Sequence, residues 1–250
     1  MAMPARILPP MTLVLVCLAA WELGVRLTQV SPLVLPAPGT IARAMLNHAP
    51  ELASHAGATI GVTLTGFPLS IAFALVCSIW LHLHAASRQA VLPLMVISQT
   101  IPLVALAPLM IMWFGFGLLP KVLLVILVTF FPILLSLLAG YRAAPVAHAD
   151  LLASMGASRW TILTRATLPA ARPQFLAGLR ISATYAVVAT IFAEYAGARQ
   201  GIGIFILTAR NNFRADLVLA GVLVSATMTL GLLGLIALID RLTGRRYRHA

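Results

Sequence analysis

Charge is scarce in this chain: only 9% of its 250 residues are charged, 17 Lys and Arg against 6 Asp and Glu. A soluble domain carries about 25%, so a water-facing globular fold is excluded. Cysteine is nearly absent. Cys17 and Cys77 both lie inside apolar runs, which supports neither a disulfide framework nor metal-ligand spacing. Lysine occurs once, as Lys121 between Pro120 and Val122, and no Gly-x-x-x-x-Gly-Lys-Ser/Thr string exists to cradle nucleotide phosphates. Gly-x-Ser-x-Gly and His-Glu-x-x-His are also missing, which removes the intramembrane Ser-protease and metalloprotease patterns. Internal repeats and coupled intramembrane charges, expected of a stand-alone secondary transporter, are not found either.

What fills the chain instead is apolar: 61% hydrophobic residues and a mean hydropathy of +1.00. The runs are continuous rather than alternating, which disfavours a membrane β-barrel. About 20 apolar residues make one helical span. The expectation is therefore an all-α, multi-pass membrane protein forming one domain over 1–250, with about six spans near 7–26, 58–81, 90–113, 121–140, 178–197 and 216–239. Arg6 precedes the run from Ile7 to Leu23, but no small-x-small cleavage site follows, so this reads as an uncleaved first span. Val14, Leu15 and Val16 lack the small residue expected before a lipidated Cys17.

A formal charge of +11 raises the question of nucleic acid, but there is no basic stripe and no stacking platform of aromatics. It is a topology signal. Arg6, Arg88, Arg142, Arg159, Arg165, Arg172, Arg180, Arg241, Arg245, Arg246 and Arg248 make 11 basic residues on one side of the six spans. Arg26, Arg43, Lys121, Arg199, Arg210 and Arg214 make 6 on the other. The positive-inside rule then places both termini and the loop of about 141–175 in the cytoplasm. The connection from Thr28 to Gly57 falls outside, with an amphipathic patch near Ile41 to Leu46 that suits an interfacial helix.

Pro93, Pro102, Pro108 and Pro132 fall at or within spans three and four, where each removes a backbone hydrogen bond and kinks a helix, either lining a pathway or shaping packing. Gly61, Gly66, Gly178, Gly221, Gly231 and Gly234 suit close helix approach. Polar residues inside spans are costly and invite a functional reading. Gln99 and Thr100, just before Pro102, and Thr184 and Tyr185 in span five either line a translocation path or bond between helices. Glu194, near the outer end of span five, either serves an outer gate or binding-protein contact or pairs with Arg199. No metal site is expected.

The polar island DLLASMGASRWTILTRATLPAARP, Asp150 to Pro173, interrupts the apolar runs. Asp150 suits a helix cap, Leu151, Leu152 and Met155 an apolar face, and Gly156 a left-handed turn. Ser158 suits a second cap, with Leu168-Pro169 ending that second helix. Asp150, Gly156, Leu168 and Pro169 stand where the signature loop of bacterial binding-protein-dependent ABC importer permeases has its Glu, Gly and Leu-Pro, although Asp replaces Glu and Leu151-Leu152 replace two Ala. The runs from Ser98 to Val122, Phe130 to Gly140 and Gly178 to Ile206, and LPAPGT from Leu35 to Thr40, resemble the nitrate, sulfonate and taurine group. The blocks SMGAS, SATYAVV and AEYAGARQGIGIFI most resemble the thiamine-precursor (hydroxymethylpyrimidine) branch.

This resemblance implies a type I ABC importer permease fold with a cytoplasmic coupling helix, in the bacterial cytoplasmic (inner) membrane. Asp150, Leu152, Met155, Gly156, Ala157, Ser158, Arg159, Leu168 and Pro169 would dock the ATPase. The implied partners are a homodimer of ABC ATPase subunits that bind ATP and Mg, a second copy of this permease, a periplasmic or lipid-anchored substrate-binding protein, and the lipid bilayer. The chain itself would carry no cofactor and catalyse nothing.

Overall fold

The computed structural model describes residues 4–244, and every regular element among them is helical. Arg245, Arg246 and Arg248, which enter the charge count above, lie outside the described residues. The first helix, α1 (Pro4–Thr28), is followed by the short α2 (Pro38–Asn47) and the long α3 (Ala49–Leu83). Next come α4 (Ala85–Ser98), α5 (Leu103–Phe114) and α6 (Leu118–Ala143). A polar stretch holds α7 (Val146–Ser154), α8 (Arg159–Ile162), a π turn (Leu163–Thr167) and α9 (Leu168–Ala170). The chain ends on α10 (Arg172–Tyr195), α11 (Ile202–Asn211) and α12 (Ala215–Gly244).

Five of these helices are long and apolar enough to cross a bilayer: Met11–Thr28 within α1, then α3, α6, α10 and α12. A sixth crossing arises only if α4 and α5 count as one, and these two are bent by 100° at the break between them. The expected continuous third span, 90–113, is therefore a broken pair. Its cause is Pro102, which caps α5 in an extended conformation (ψ 125°) and cannot supply the N–H that would carry α4 onward. Pro93, Pro108 and Pro132 lie inside α4, α5 and α6, which continue through them.

The helix that contains the expected second span begins earlier than 58. Residues 49–57, expected in the outer connection, form the start of α3, with Pro50 in its first turn and Glu51 placed to complement the helix dipole. Their mixed polarity hid them from a hydropathy reading. The amphipathic patch does fold as a helix, α2, burying Ile41 and Ala44.

The core is a sandwich of α3, α6 and α10. Phe67, Ala74 and Leu81 meet Ile133, Leu134 and Leu137 across Ala183 and Ala186. Gly66 and Gly178 make this possible, since a Cβ at either would fall 2.8 Å from Val125 and 2.6 Å from Ser136. A second cluster closes one end of the bundle, where Ile41, Leu52, Ile202, Phe205 and Leu217 pack together. By contrast, the crossing segment of α1 buries none of its residues in this chain. It is tied to α2 by the Gly39 N–H, which donates to Glu22 Oε2 at 2.9 Å.

Candidate functional site

The polar stretch between α6 and α10 builds a knob. Pro145 stops α6 and, with φ −59°, caps α7 five residues before the cap expected at Asp150. Asp150 is therefore an exposed residue inside α7 and not its cap. At the other end of α7, Ala157 N–H donates to Leu152 O at 2.9 Å and Gly156 N–H to Ala153 O at 2.9 Å. This is the paired bonding of a Schellman cap. Gly156 sits at φ +78°, a conformation that L side chains disfavour. A Cβ there would meet nothing within 4 Å. The requirement for glycine is thus conformational, as a left-handed turn implies, and not a matter of space within this chain.

Ser158 caps α8 as expected, its Oγ accepting from Thr161 N–H at 3.2 Å. Leu168-Pro169 does not end this second helix. Leu168 N–H bonds Leu163 O, five residues back, and the widened π turn carries the chain through Pro169 almost without interruption into α10. Widening removes the steric conflict between a proline ring and the preceding turn. The knob's outer face is apolar, with Leu151, Met155 and Trp160 exposed at 60%, 74% and 57%, while Leu163 is buried underneath. Ala157 and Leu152 are half-buried, and Arg159 is exposed beside Trp160.

The far side of this stretch is anchored by charge. Arg172, the first residue of α10, and Arg180 each reach Asp240 of α12 at 3.1 Å. Arg172 also donates to Thr243 Oγ1 at 2.7 Å.

Gln99, Thr100 and Pro102 lie at the break between α4 and α5, all exposed in the single chain. Thr184 and Tyr185 lie on an exposed stripe of α10 with Ile181 and Val188. The polar bonds of these residues are local: Gln99 Nε2 reaches Ser98 Oγ at 3.5 Å, Thr100 donates to Ile97 O at 2.8 Å and Thr184 to Ile181 O at 2.7 Å. They do not bond α4 to α10.

Interhelical bonding is done by other residues. Thr63 and Thr190 hydroxyls lie 2.9 Å apart, Thr129 donates to Ser70 Oγ at 2.7 Å, Ser182 donates to Thr129 O at 2.8 Å, and Ser78 meets Tyr141 OH at 3.0 Å. The ladder ends on Glu194, which is fully buried. Its Oε1 accepts from Thr59 Oγ1 at 2.8 Å and its Oε2 from Gly203 N–H at 2.7 Å, while Thr59 Oγ1 accepts from Ile202 N–H at 2.8 Å. Two of the free amides at the start of α11, those of Ile202 and Gly203, are thereby satisfied. His55 Nδ1 lies 2.9 Å from Gly201 O and 3.1 Å from Gly201 N. Gly201 adopts φ +142°, and a Cβ there would run into the Glu194 carboxyl group. Glu194 therefore clamps the α10–α11 turn onto α3. It makes no ion pair with Arg199 among the described residues, and its buried side chain offers no surface to a binding protein. The signal in the sequence was the acid seven residues before Gly201-x-Gly203.

Residues 59–248 match the family described as binding-protein-dependent transport system inner membrane component. A probable ABC transporter permease protein of Haemophilus influenzae is 31% identical over 91% of this chain and 93% of its own. The formylaminopyrimidine transport permease protein of Halalkalibacterium halodurans is 32% identical, over 92% of each chain. The taurine transport system permease protein of Escherichia coli is 33% identical over 91% of this chain and 86% of its own. Identities of 32% and 33% rank neither solute above the other. In fold, the chain superposes on the crystal structure of an amino acid ABC transporter with TM-score 0.64 at 14% identity, covering 79% of this chain and 96% of that one.

Proposed function

The chain belongs to the family of binding-protein-dependent transport system inner membrane components, the non-catalytic permease subunits of ABC importers, and from that premise we propose how it works. It forms the translocation pathway for a small polar solute, paired with a second copy of itself in the bacterial inner membrane. ATP and Mg are held by two separate ATPase subunits, and a periplasmic or lipid-anchored binding protein delivers the solute. Both termini and the knob face the cytoplasm, the side on which the charge count gathers 11 of the 17 basic residues.

The observation that carries this reading is the knob itself. Two short helices joined at Gly156 expose Leu151, Met155 and Trp160 outside the helices that are long and apolar enough to cross a membrane. Such a rigid apolar projection suits insertion into a groove on a partner, and it lies next in sequence to α10. In this reading Asp150, Leu152, Met155, Gly156, Ala157, Ser158 and Arg159 form the ATPase contact, with Leu168 and Pro169 carrying its motion into α10. Gln99, Thr100, Pro102, Thr184 and Tyr185 face the solute pathway.

The solute is drawn from a wider class than a thiamine pyrimidine precursor. Relatives that carry a formylaminopyrimidine and taurine are equally similar to this chain, so sulfonate-type solutes stand level with the pyrimidine. The test is ATPase stimulation in proteoliposomes holding the permease with its ATPase, on addition of binding protein loaded in turn with hydroxymethylpyrimidine, taurine or an alkanesulfonate. Stimulation by one loaded form is expected. An ATPase that never assembles with the chain would refute the reading.

A further inference from the structure

We propose that the outer end of the molecule holds a binding site for a small organic anion, built around Lys121 and Arg199. The inference rests on the importer reading and narrows its solute to one bearing a sulfonate, carboxylate or phosphate group. Between the α5–α6 turn and the α10–α11 turn lies a cavity of about 740 Å³, lined among others by Ala58, Phe116, Leu118, Lys121, Ala198 and Arg199. That volume falls within the 300–1,000 Å³ typical of small-molecule pockets. A lone carboxylate side chain from a docked protein would fill only a small part of it, so a whole small molecule is the better fit.

The chemistry of the wall selects an anion. Among the described residues, neither Lys121 nor Arg199 forms an ion pair within 4 Å. Of the other outer cations, Arg26 and Arg214 are paired with Glu22 and Asp216, and Arg43 and Arg210 are not part of the cavity lining. The buried carboxylate of Glu194 has both oxygens committed, one to Thr59 Oγ1 and the other to Gly203 N–H. Helix α6 adds to the field. It starts in the cavity wall, with Gly117 as its N-cap and no side chain bonded to its first amides, so the positive end of its dipole is open to a ligand. Phe116, Leu118 and Ala58 give an apolar surface for the body of such a molecule.

The Glu194 clamp holds this site together. It fixes the α10–α11 turn, which brings Ala198 and Arg199, against α3, which brings Ala58.

Cysteine labelling tests the proposal without relying on transport. Ala198→Cys is introduced with Cys17→Ser and Cys77→Ala into the permease–ATPase complex in nanodiscs. Labelling rates are compared for an anionic ethylsulfonate and a cationic trimethylammonium methanethiosulfonate. The anionic reagent should react faster, and Lys121→Gln with Arg199→Gln should lower the anionic-to-cationic rate ratio by about tenfold or more. Lys121→Arg with Arg199→Lys should keep it. Millimolar ethanesulfonate should protect the thiol introduced by Ala198→Cys, whereas a neutral sulfone of the same size should not. A ratio unmoved by the charge removal, equal protection by the neutral sulfone, or protection by the binding protein alone would each overturn the site. Absence of ATP-driven uptake would sink the importer reading while leaving the labelling result to stand by itself.

Discussion

Replacing Gly156 by a series of residues separates two reasons for its presence. Gly156 holds φ +78° in open space, and a Cβ added to it would find no atom of this chain within 4 Å. An L residue in that conformation costs about 1–2 kcal/mol, while Asn tolerates it better than Ala. If docking requires the turn, Gly156→Ala should weaken the affinity of the permease for its ATPase between about fivefold and thirtyfold, and Gly156→Asn should weaken it less. The dissociation constant would be measured by interferometry on nanodisc-embedded permease. Hydrogen exchange of the Ala157 amide, which bonds Leu152 O at 2.9 Å, reports the turn itself. An order of Gly, Ala, Asn, Val would show that side-chain volume against the partner decides, and equal affinity for Gly and Ala would refute the conformational reasoning altogether.

Glu194→Gln removes a charge-assisted acceptor worth about 1.5–3 kcal/mol from the clamp; the thermal midpoint should fall while the ATPase still co-purifies, and lost co-purification would mean that the clamp acts on the wrong end. Asp240→Asn removes the carboxylate that Arg172 and Arg180 share, while Arg172 keeps its bonds to Thr243 and to the Asp240 carbonyl; the two side chains are 23% and 52% exposed, so stability should change by only about 0.2–1 kcal/mol per pair. The number of ATP molecules hydrolysed per solute imported should nevertheless rise, and an unchanged ratio would show that this tie carries no motion. Ser70→Cys with Thr129→Cys, replacing hydroxyls 2.7 Å apart, should cross-link without stopping uptake, because α3 and α6 move together; arrest on oxidation would disprove that.

The helices of this fold were legible because continuous apolar runs of about 20 residues have few other outcomes. The break at Pro102 was legible only as a kink. Its 100° extent depends on how α4 and α5 pack, which no local rule gives. Asp150 was misread for a related reason: Asp is a good cap, but Pro145 offered an earlier start and its fixed φ won. The hydroxyl ladder was illegible because Thr and Ser scarcely alter hydropathy. Thr63 finds Thr190 across 127 positions and Thr59 finds Glu194 across 135. Glu194 was noticed for its cost in a span, yet Arg199 was a nearer suitor in sequence than Thr59, and only the tertiary fold could choose between them.

The same ladder bears on how a push at the knob travels. Helix α10, 24 residues long, rises about 36 Å, from the end of the polar stretch to the Glu194 clamp. Along that length it is held by Ser182 to the Thr129 carbonyl, by Thr190 to Thr63 and by Glu194 to Thr59. Each of the two neutral bonds, made by Ser182 and Thr190, contributes only about 0.6 kcal/mol within a membrane, but sliding α10 past α3 and α6 would break them together with the Glu194 bond and open the close contact of Gly178 with Ser136. The three helices therefore respond as one block. Compliance is left to elements tied less tightly: α1, whose crossing segment is unburied, and the bent α4–α5 pair. Gln99, Thr100 and Pro102 sit at that bend, whereas Thr184 and Tyr185 ride on the exposed face of the block. In the proposed mechanism, motion of the block would change the spacing between these two sets of residues, which is what a gate formed between them requires.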